Sequence, residues 1–257
     1  MRRSPALVCA GLLCLLSACS AGPAAGTQSE SARTTVTIFA AASLKDSFGA
    51  LETDFERDNP QVDIVLDLQG SQDLVSALEE GAQADVVATA NRDTMDKLQS
   101  GGLVGAVQNF AANTLTIIVP KGNPAGVSGM DASLEGKKLV ICAPEVPCGN
   151  ATKRLAKELG ISLNPVSEEQ KVTDVRGKVA SGEADAGIVY RTDAFAEKNS
   201  VEEIAIPGSE KVKNIYPIAV LKNSASHGWA QKWVDYVLSE RGQHTLREYG
   251  FSPAGEE

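Results

Sequence analysis

The chain has 257 residues, of which 43% are hydrophobic and 22% are charged, a composition typical of a folded globular protein rather than a disordered or fibrous one. Its formal net charge is −9 at pH 7. This charge excludes electrostatic binding to nucleic acid or to an anionic membrane surface as its main activity. With this charge, a site for an anion has to use local dipoles rather than the charge of the whole molecule.

Residues 1–18 have the pattern of a secretory signal peptide. Two arginines give a positive start, and the apolar run from Ala6 to Leu16 that follows is too short for an ordinary membrane span. The sequence Leu-Ser-Ala-Cys that ends at Cys19 resembles a bacterial lipobox, in which this cysteine becomes the lipidated first residue of the mature protein. A plain signal peptide with an incidental cysteine is the alternative. We therefore expect an exported protein that lipid on Cys19 anchors to the outer face of the cell membrane.

The segment after Cys19 separates the predicted lipid from the folded part. Residues 19–32 are small and polar and include glycine and proline, so they predict a flexible tether. Residues 33–257 are long for a single hydrophobic core, and we expect them to form two lobes.

Strand-like apolar runs and helical patterns alternate from residue 33 onwards. This alternation predicts an α/β fold with largely parallel sheets. The predicted strands are Thr35–Phe39, Val62–Leu68, Asp85–Thr89, Thr114–Val119, Lys138–Cys142, Ala186–Tyr190, Glu203–Ile206 and Tyr216–Leu221. The predicted helices are Leu44–Arg57, Gln72–Glu80, Arg92–Ser100, Asn150–Leu159, Asp174–Ser181 and Ser226–Leu238.

Two cysteines, Cys142 and Cys148, lie beyond the signal peptide and the lipid site, and export places them in an oxidising space. They are six residues apart with two prolines between them, and we predict that they form a disulfide. Two buried thiols or a metal pair are the alternatives. A metal pair lacks its other ligands, because His227 and His244 lie far away in the sequence.

At four places a strand or loop ends in small residues and a helix begins. The helix starts follow or include Ser43, Ser71, Cys148 and Val175. A helix start carries unpaired N–H groups and about half a positive charge, so several starts that converge form an anion site without a charged side chain. The alternative is that each is an ordinary capped helix, and the spacing alone does not show that the four converge.

A resemblance to a known family implies that these helix starts converge on one site. Residues 36–45, with Thr-Ile-Phe-Ala-Ala-Ala-Ser-Leu at their centre, resemble the opening of the periplasmic molybdate-binding proteins (ModA), the substrate-binding components of molybdate ABC importers. Further similar motifs follow in order: Gly81-Ala-Gln-Ala-Asp-Val, Pro144-Glu-Val-Pro-Cys-Gly, Asp174-Val-Arg-Gly, Gly187-Ile-Val-Tyr, Tyr216-Pro-Ile-Ala-Val and Tyr249-Gly-Phe. Each motif is weak by itself, but their joint order is specific.

The resemblance implies a type II periplasmic-binding-protein fold, in which two α/β lobes are joined by two crossover segments and hold the ligand in the cleft between them. The first crossing is expected near Asn113–Val119 and the second near Tyr216–Leu221. One lobe then consists of residues 33–114 together with 219–257, and the other of residues 115–218.

The resemblance also implies the contacts with the ligand, a molybdate or tungstate oxyanion. Ser43 and Ser71 are expected to donate through their hydroxyl and backbone N–H groups, and Tyr190 through its hydroxyl. Cys148 and Val175 are expected to donate only a backbone N–H; Cys148 departs from the family, which has a small, alanine-like residue at that position. No cofactor and no metal bound directly to protein ligands are expected. The expected partner is the permease of an ABC importer, and the expected state is a monomer.

Other functions fit the sequence less well. A receptor for sulfate has the same demands on charge and shape, and only the size of the cavity separates the two. An exported serine hydrolase using Ser43 or Ser71 needs a base within hydrogen-bond reach, and neither His227 nor His244 lies in a motif that supplies one. An adhesive lipoprotein without a ligand leaves the ordered motifs unexplained.

Overall fold

The computed structural model describes residues 33–255 of the chain, and these form two sheets flanked by helices. The strands are β1 (Thr34–Ala41), β2 (Val62–Gln69), β3 (Val86–Ala88), β4 (Val104–Asn113), β5 (Leu115–Pro120), β6 (Leu139–Cys142), β7 (Ser167–Glu169), β8 (Ala186–Tyr190), β9 (Val201–Ile204) and β10 (Asn214–Leu221). The helices are α1 (Lys45–Asp58), α2 (Ser71–Glu79), α3 (Arg92–Ser100), α4 (Pro147–Leu159), α5 (Val172–Ala180), α6 (Arg191–Ala196), α7 (His227–Leu238) and α8 (Glu240–Glu248). Short 3-10 helices span Ala42–Leu44, Ala132–Leu134 and Ser209–Val212.

The two sheets are mixed rather than largely parallel. The first has the order β2-β1-β3-β10-β4, and the second has the order β7-β6-β8-β5-β9. Strand β1 is parallel to β2 and β3, and β6 is parallel to β7 and β8. Strand β10 is antiparallel to β3 and β4, and β5 is antiparallel to β8 and β9. The expectation of largely parallel sheets was wrong because β5 and β10 enter their sheets from the other half of the molecule, without the helical crossover that keeps neighbouring strands parallel.

The chain crosses between the sheets at two places that lie side by side. Strand β4 ends at Asn113 in the first sheet, and β5 begins in the second sheet only two residues later. The chain returns through the segment before β10, whose first residue, Asn214, pairs with Asn113. The first sheet therefore includes the whole of β10. The lobe limits at residues 114/115 and 218/219 stay predictions.

Each lobe has its own core, and the alternation of side chains along β1 explains why the first sheet needs helices on both faces. Val36, Ile38 and Ala40 pack on one face with Trp233, whereas Phe39 packs on the other. All five side chains are buried, which is the pattern of a strand covered on both sides.

The elements that the sequence did not predict have weak apolar patterns. Strands β4 and β7 are edge strands, and their exposed positions carry small or polar residues: Gly105, Ala106, Gln108 and Glu168. Helix α8 is mostly polar, with Leu246 as its large buried side chain.

Two predicted helices begin earlier than expected. Helix α4 begins at Pro147, three residues early, and α5 begins at Val172, two residues early. The earlier starts change which backbone amides are free at these helix ends.

The predicted signal peptide and tether, residues 1–32, lie outside the described residues. Within residues 33–255, no helix is both long enough and apolar enough to cross a membrane.

Candidate anion-binding site

A small cavity lies between the two sheets, where elements of both come together. Its lining residues are mostly small, and none of those in the described chain is charged: Ala41, Ala42, Ser43, Gln69, Gly70, Ser71, Ala90, Val146, Pro147, Cys148, Val172 and Tyr190. The carboxyl ends of the parallel strands β1, β2, β6 and β8 lead into these residues. Ligands of open α/β sheets bind at this edge, because the strands end there and the next helices begin.

Four of the five predicted contact residues line this cavity: Ser43, Ser71, Cys148 and Tyr190. Ser43 lies in the 3-10 helix that follows β1, and Ser71 is the first residue of α2. Cys148 is the second residue of α4, and Tyr190 is the last residue of β8. Two of these residues come from the first sheet's half and two from the second, so the cavity is complete only when both halves are in contact.

Val175 is the predicted contact that does not line the cavity. It is the fourth residue of α5, and the carbonyl of Lys171, the residue before the helix, accepts from the backbone N–H of Asp174 at 3.1 Å. Its side chain is buried against Gly187, since a Cβ added to that glycine would lie 2.8 Å from Val175 Cγ1. Val172, the first residue of the same helix, lines the cavity instead. The early start of α5 was not evident from the sequence, and an anion contact from Val175 stays a prediction.

The hydroxyl of Ser71 is placed to donate into the cavity. Its Oγ accepts a hydrogen bond from the backbone N–H of Ala90 at 3.0 Å, and its own proton is therefore available for another acceptor. Ser71 is 1% exposed and lines the cavity, so a ligand in the cavity is within reach of this hydroxyl. Ser43 Oγ lies 3.0 Å from the hydroxyl oxygen of Tyr216, a residue behind the cavity that the sequence analysis did not assign to the site.

Cys148 is bonded to Cys142 in a disulfide with a Cα–Cα distance of 5.8 Å. The disulfide occupies the cysteine side chain, and Cys148 is one of the residues that line the cavity. Pro147 has no N–H, so the amides of Cys148 and Gly149 are the free donors of the first turn of α4. Gly149 lies so close to the end of β6 that an added Cβ would be 1.9 Å from the carbonyl oxygen of Ala143. A side chain at this position is therefore incompatible with the loop.

Polar contacts between the two lobes hold the cavity closed. The Arg176 guanidinium on α5 lies 3.0 Å from a carboxylate oxygen of Asp46 on α1. The side-chain amide of Gln72 on α2 donates to the backbone carbonyl of Gln170 at 3.1 Å. The ion pair with Arg176 occupies Asp46, the acidic residue in the first turn of α1, and Asp46 does not line the cavity.

Burial raises the pKa values of two groups next to the cavity. It raises the pKa of the Tyr190 hydroxyl well above its usual value, so Tyr190 stays an O–H donor at neutral pH. Burial also raises the pKa of Asp193 to about 7, although the nearby Arg176 and the backbone N–H of Tyr190 oppose the rise. Asp193 accepts that N–H at 3.1 Å, which fixes the start of α6 and the backbone of Tyr190.

A family model of bacterial extracellular solute-binding proteins matches residues 36–252. The molybdate-binding protein ModA of Mycobacterium tuberculosis is 40% identical over 259 aligned residues, which cover 97% of each chain. The chain belongs to the ModA family of solute-binding proteins. A putative ABC transporter substrate-binding lipoprotein of Bacillus subtilis, YvgL, is 27% identical over 93% of each chain. The periplasmic molybdate-binding protein of Azotobacter vinelandii has a similar fold, with a TM-score of 0.75 and 18% identity over 84% of this chain and 98% of its own.

Membership of the ModA family confirms several expectations from the sequence. The predicted fold, two α/β lobes of the periplasmic-binding-protein type, is confirmed by the two sheets and by the solved relative. The members of this family are solute-binding proteins, so the prediction of a binding protein rather than an enzyme is also confirmed. The same membership supports the expectation that the chain takes up a ligand and has no cofactor.

Proposed function

We propose that this protein captures molybdate outside the cytoplasm and delivers it to an ABC importer. The observation that carries the proposal is the cavity between the lobes, which is lined by hydroxyl groups and helix starts and has no charged side chain among the described residues. The names of the ModA relatives support the choice of ligand. One chain supplies both halves of the cavity, so we also propose that the protein binds its ligand as a monomer.

The chemistry of the ligand fits these donors. Molybdate at neutral pH is a doubly charged tetrahedron that carries acceptors and no protons, so a complementary site contains only donors. Hydrogen bonds to a charged acceptor are stronger than those between neutral groups, and donors at rigid helix starts are already oriented when the anion arrives. The net charge of −9 is no obstacle, because the donors act over a few ångströms while distant surface charges are screened.

We assign the contacts to the hydroxyls of Ser43, Ser71 and Tyr190 and to the backbone amide of Cys148. The fifth contact is an amide from the start of α5, and Val175 is the residue that the family resemblance assigns. Tungstate has the same charge and shape as molybdate, and we propose that it binds to the same donors. A sulfate receptor is the alternative within this class of protein, since sulfate is a smaller ion of the same charge.

We further propose that lipid on Cys19 anchors the protein to the outer face of the membrane. The lipobox-like sequence before Cys19 supports this, and the relative YvgL carries the name of a lipoprotein. In cells that express the full chain, Cys19→Ala is expected to move the protein from the membrane fraction into the soluble extracytoplasmic fraction, because the attachment atom is lost. Retention of the variant in the membrane fraction would show that another segment anchors it.

Isothermal titration calorimetry of the ligand-free protein with molybdate, tungstate, sulfate and phosphate tests the proposed ligand. We expect tight binding of molybdate and tungstate and much weaker binding of sulfate, because a fixed set of donors makes hydrogen bonds of good length to one ion size. Phosphate is expected to bind weakly, since it retains a proton near neutral pH and the cavity offers that proton no charged acceptor. Equal affinities for sulfate and molybdate would contradict the assignment.

Serine variants test the proposed contacts. Ser43→Ala and Ser71→Ala are each expected to weaken molybdate binding by about 1–3 kcal/mol, the usual loss when a hydrogen bond to a charged group is removed. Ser47→Ala is the matched control, because Ser47 is also buried, donates to the Leu44 carbonyl at 3.1 Å and does not line the cavity. An unchanged affinity in both test variants, measured by the same calorimetry, would remove these serines from the site.

A further inference from the structure

Three buried polar side chains lie behind the cavity without lining it. Asn113, Asn214 and Tyr216 are at most 3% exposed and come from the two strands at which the chain crosses between the lobes. Tyr216 contacts the hydroxyl of Ser43 and Asn214 contacts that of Tyr190, two of the groups assigned above to the anion, and Asn113 contacts Tyr216. Each hydroxyl can donate or accept, so the direction of these hydrogen bonds decides what the cavity offers to a ligand.

The surroundings of Asn214 fix the direction at Tyr190. Its Nδ2 atom lies 2.8 Å from the carbonyl oxygen of Ala90 and 3.3 Å from that of Pro147. Carbonyl oxygens only accept, so this atom is the NH₂ group of the amide rather than its oxygen. The same Nδ2 lies 2.6 Å from the Tyr190 hydroxyl oxygen. Tyr190 therefore accepts from Asn214. The two acceptors for its own proton are a ligand in the cavity and the neighbouring Tyr216 hydroxyl, with which Tyr190 also interacts.

Asn113 fixes the direction at Tyr216 in the same way. Its Oδ1 accepts from the backbone N–H of Thr114 at 3.0 Å, so the other side-chain atom is the NH₂ group. That group donates to the Thr192 hydroxyl at 2.8 Å and is directed at the Tyr216 hydroxyl oxygen at 3.5 Å. Either hydroxyl can donate in the contact between Tyr216 and Ser43 Oγ at 3.0 Å, and the donor on the Asn113 side favours Tyr216 as the donor in this contact. Ser43 then accepts from Tyr216 and donates its own proton into the cavity.

We propose that Asn113, Asn214 and Tyr216 are positioning residues that turn the hydroxyl protons of Ser43 and Tyr190 towards the bound anion. This relay of hydrogen bonds begins at two amide groups that only donate at these contacts, and it ends at the ligand. The proposal rests on the proposed function, and it adds a source of specificity that needs no charged side chain.

The relay gives the site a preference for anions without protons. A serine hydroxyl in an unbiased cavity turns to accept from a protonated oxyanion as readily as it donates to a deprotonated one. When Tyr216 donates to Ser43 Oγ, one of the two serine lone pairs is occupied and the serine proton is directed away from Tyr216, towards the cavity. Burial raises the pKa of the Tyr216 hydroxyl above its usual value, so Tyr216 keeps the proton that this contact requires.

The variant Tyr216→Phe tests the relay, because it removes one hydroxyl and keeps the ring. The ring packs edge-on against Phe110, Tyr190 and Phe251, with centroid distances of 5.3–6.2 Å, and a phenylalanine retains these contacts. We expect calorimetry to show molybdate binding weakened about tenfold, roughly the effect of one hydrogen bond. The affinity for phosphate should fall less or rise, because the released Ser43 hydroxyl turns to accept the phosphate proton.

The decisive readout is the ratio of the molybdate and phosphate affinities. The relay predicts a lower ratio in Tyr216→Phe than in the unmodified protein. A purely structural role lowers both affinities by the same factor and leaves the ratio unchanged, which would overturn the proposal. The ratio does not depend on the folded fraction of the sample, so a destabilised variant still gives a valid result.

Two further variants make the test specific. Tyr236→Phe is the matched control, because the Tyr236 hydroxyl is buried and has no hydrogen-bond partner within residues 33–255; neither the affinity nor the ratio should change. In the double variant Ser43→Ala/Tyr216→Phe, molybdate affinity should equal that of Ser43→Ala alone, since Tyr216 acts through Ser43. Additive losses would contradict the relay.

The same experiment separates the relay from the proposed function. If the unmodified protein binds no molybdate, the proposed function fails. If it binds molybdate and Tyr216→Phe has the same affinities, only the relay is refuted.

Discussion

A site buried between two lobes has to compensate an anion for the water it loses, and we propose that neutral donors do so in this protein. Removing a doubly charged ion from water is costly unless its acceptors are met by hydrogen bonds. A lysine or arginine in the cavity would supply charge, but the lining contains small residues, hydroxyls and helix starts instead. Neutral donors also discriminate between protonated and deprotonated anions. A hydrogen bond requires an acceptor at a defined direction from the donor, whereas a charged group attracts an anion from any direction. The identity of the ligand, the rigidity of the site and its specificity therefore depend on where hydroxyl and amide protons point.

The fold supplies these donors through the mixed order of its sheets. Parallel strands β1, β2, β6 and β8 end at the cavity and continue into helices or tight turns. The crossing strands β5 and β10 run antiparallel to their neighbours, and their junctions bring Asn113 and Asn214 behind the site. Asn214 contacts carbonyl oxygens of both lobes, at Ala90 and Pro147. The same crossing segment thus connects the lobes and contacts the Tyr190 hydroxyl.

The sequence predicted what depends on local pattern. Ser43, Ser71 and Cys148 were candidates because small residues at a strand end followed by a helical pattern are visible within ten residues. The family resemblance assigned them as contacts and added Tyr190. The sequence placed the start of α5 two residues late, and Val172 was missed for that reason. The edge strands β4 and β7 were missed because an edge strand tolerates polar residues and loses the alternation that reveals a strand. Tyr216 lies 173 residues from its partner Ser43, and no local pattern reports a contact over that distance.

Diffraction from a molybdate-soaked crystal, recorded at the molybdenum absorption edge, tests the central claim most directly. The anomalous signal locates the metal independently of any assumption about the site. The account predicts one strong peak in the cavity, with oxyanion oxygens about 2.7–2.9 Å from the hydroxyls of Ser43, Ser71 and Tyr190 and from the amide of Cys148. A peak elsewhere on the molecule, or a lysine or arginine as the principal contact, would contradict it.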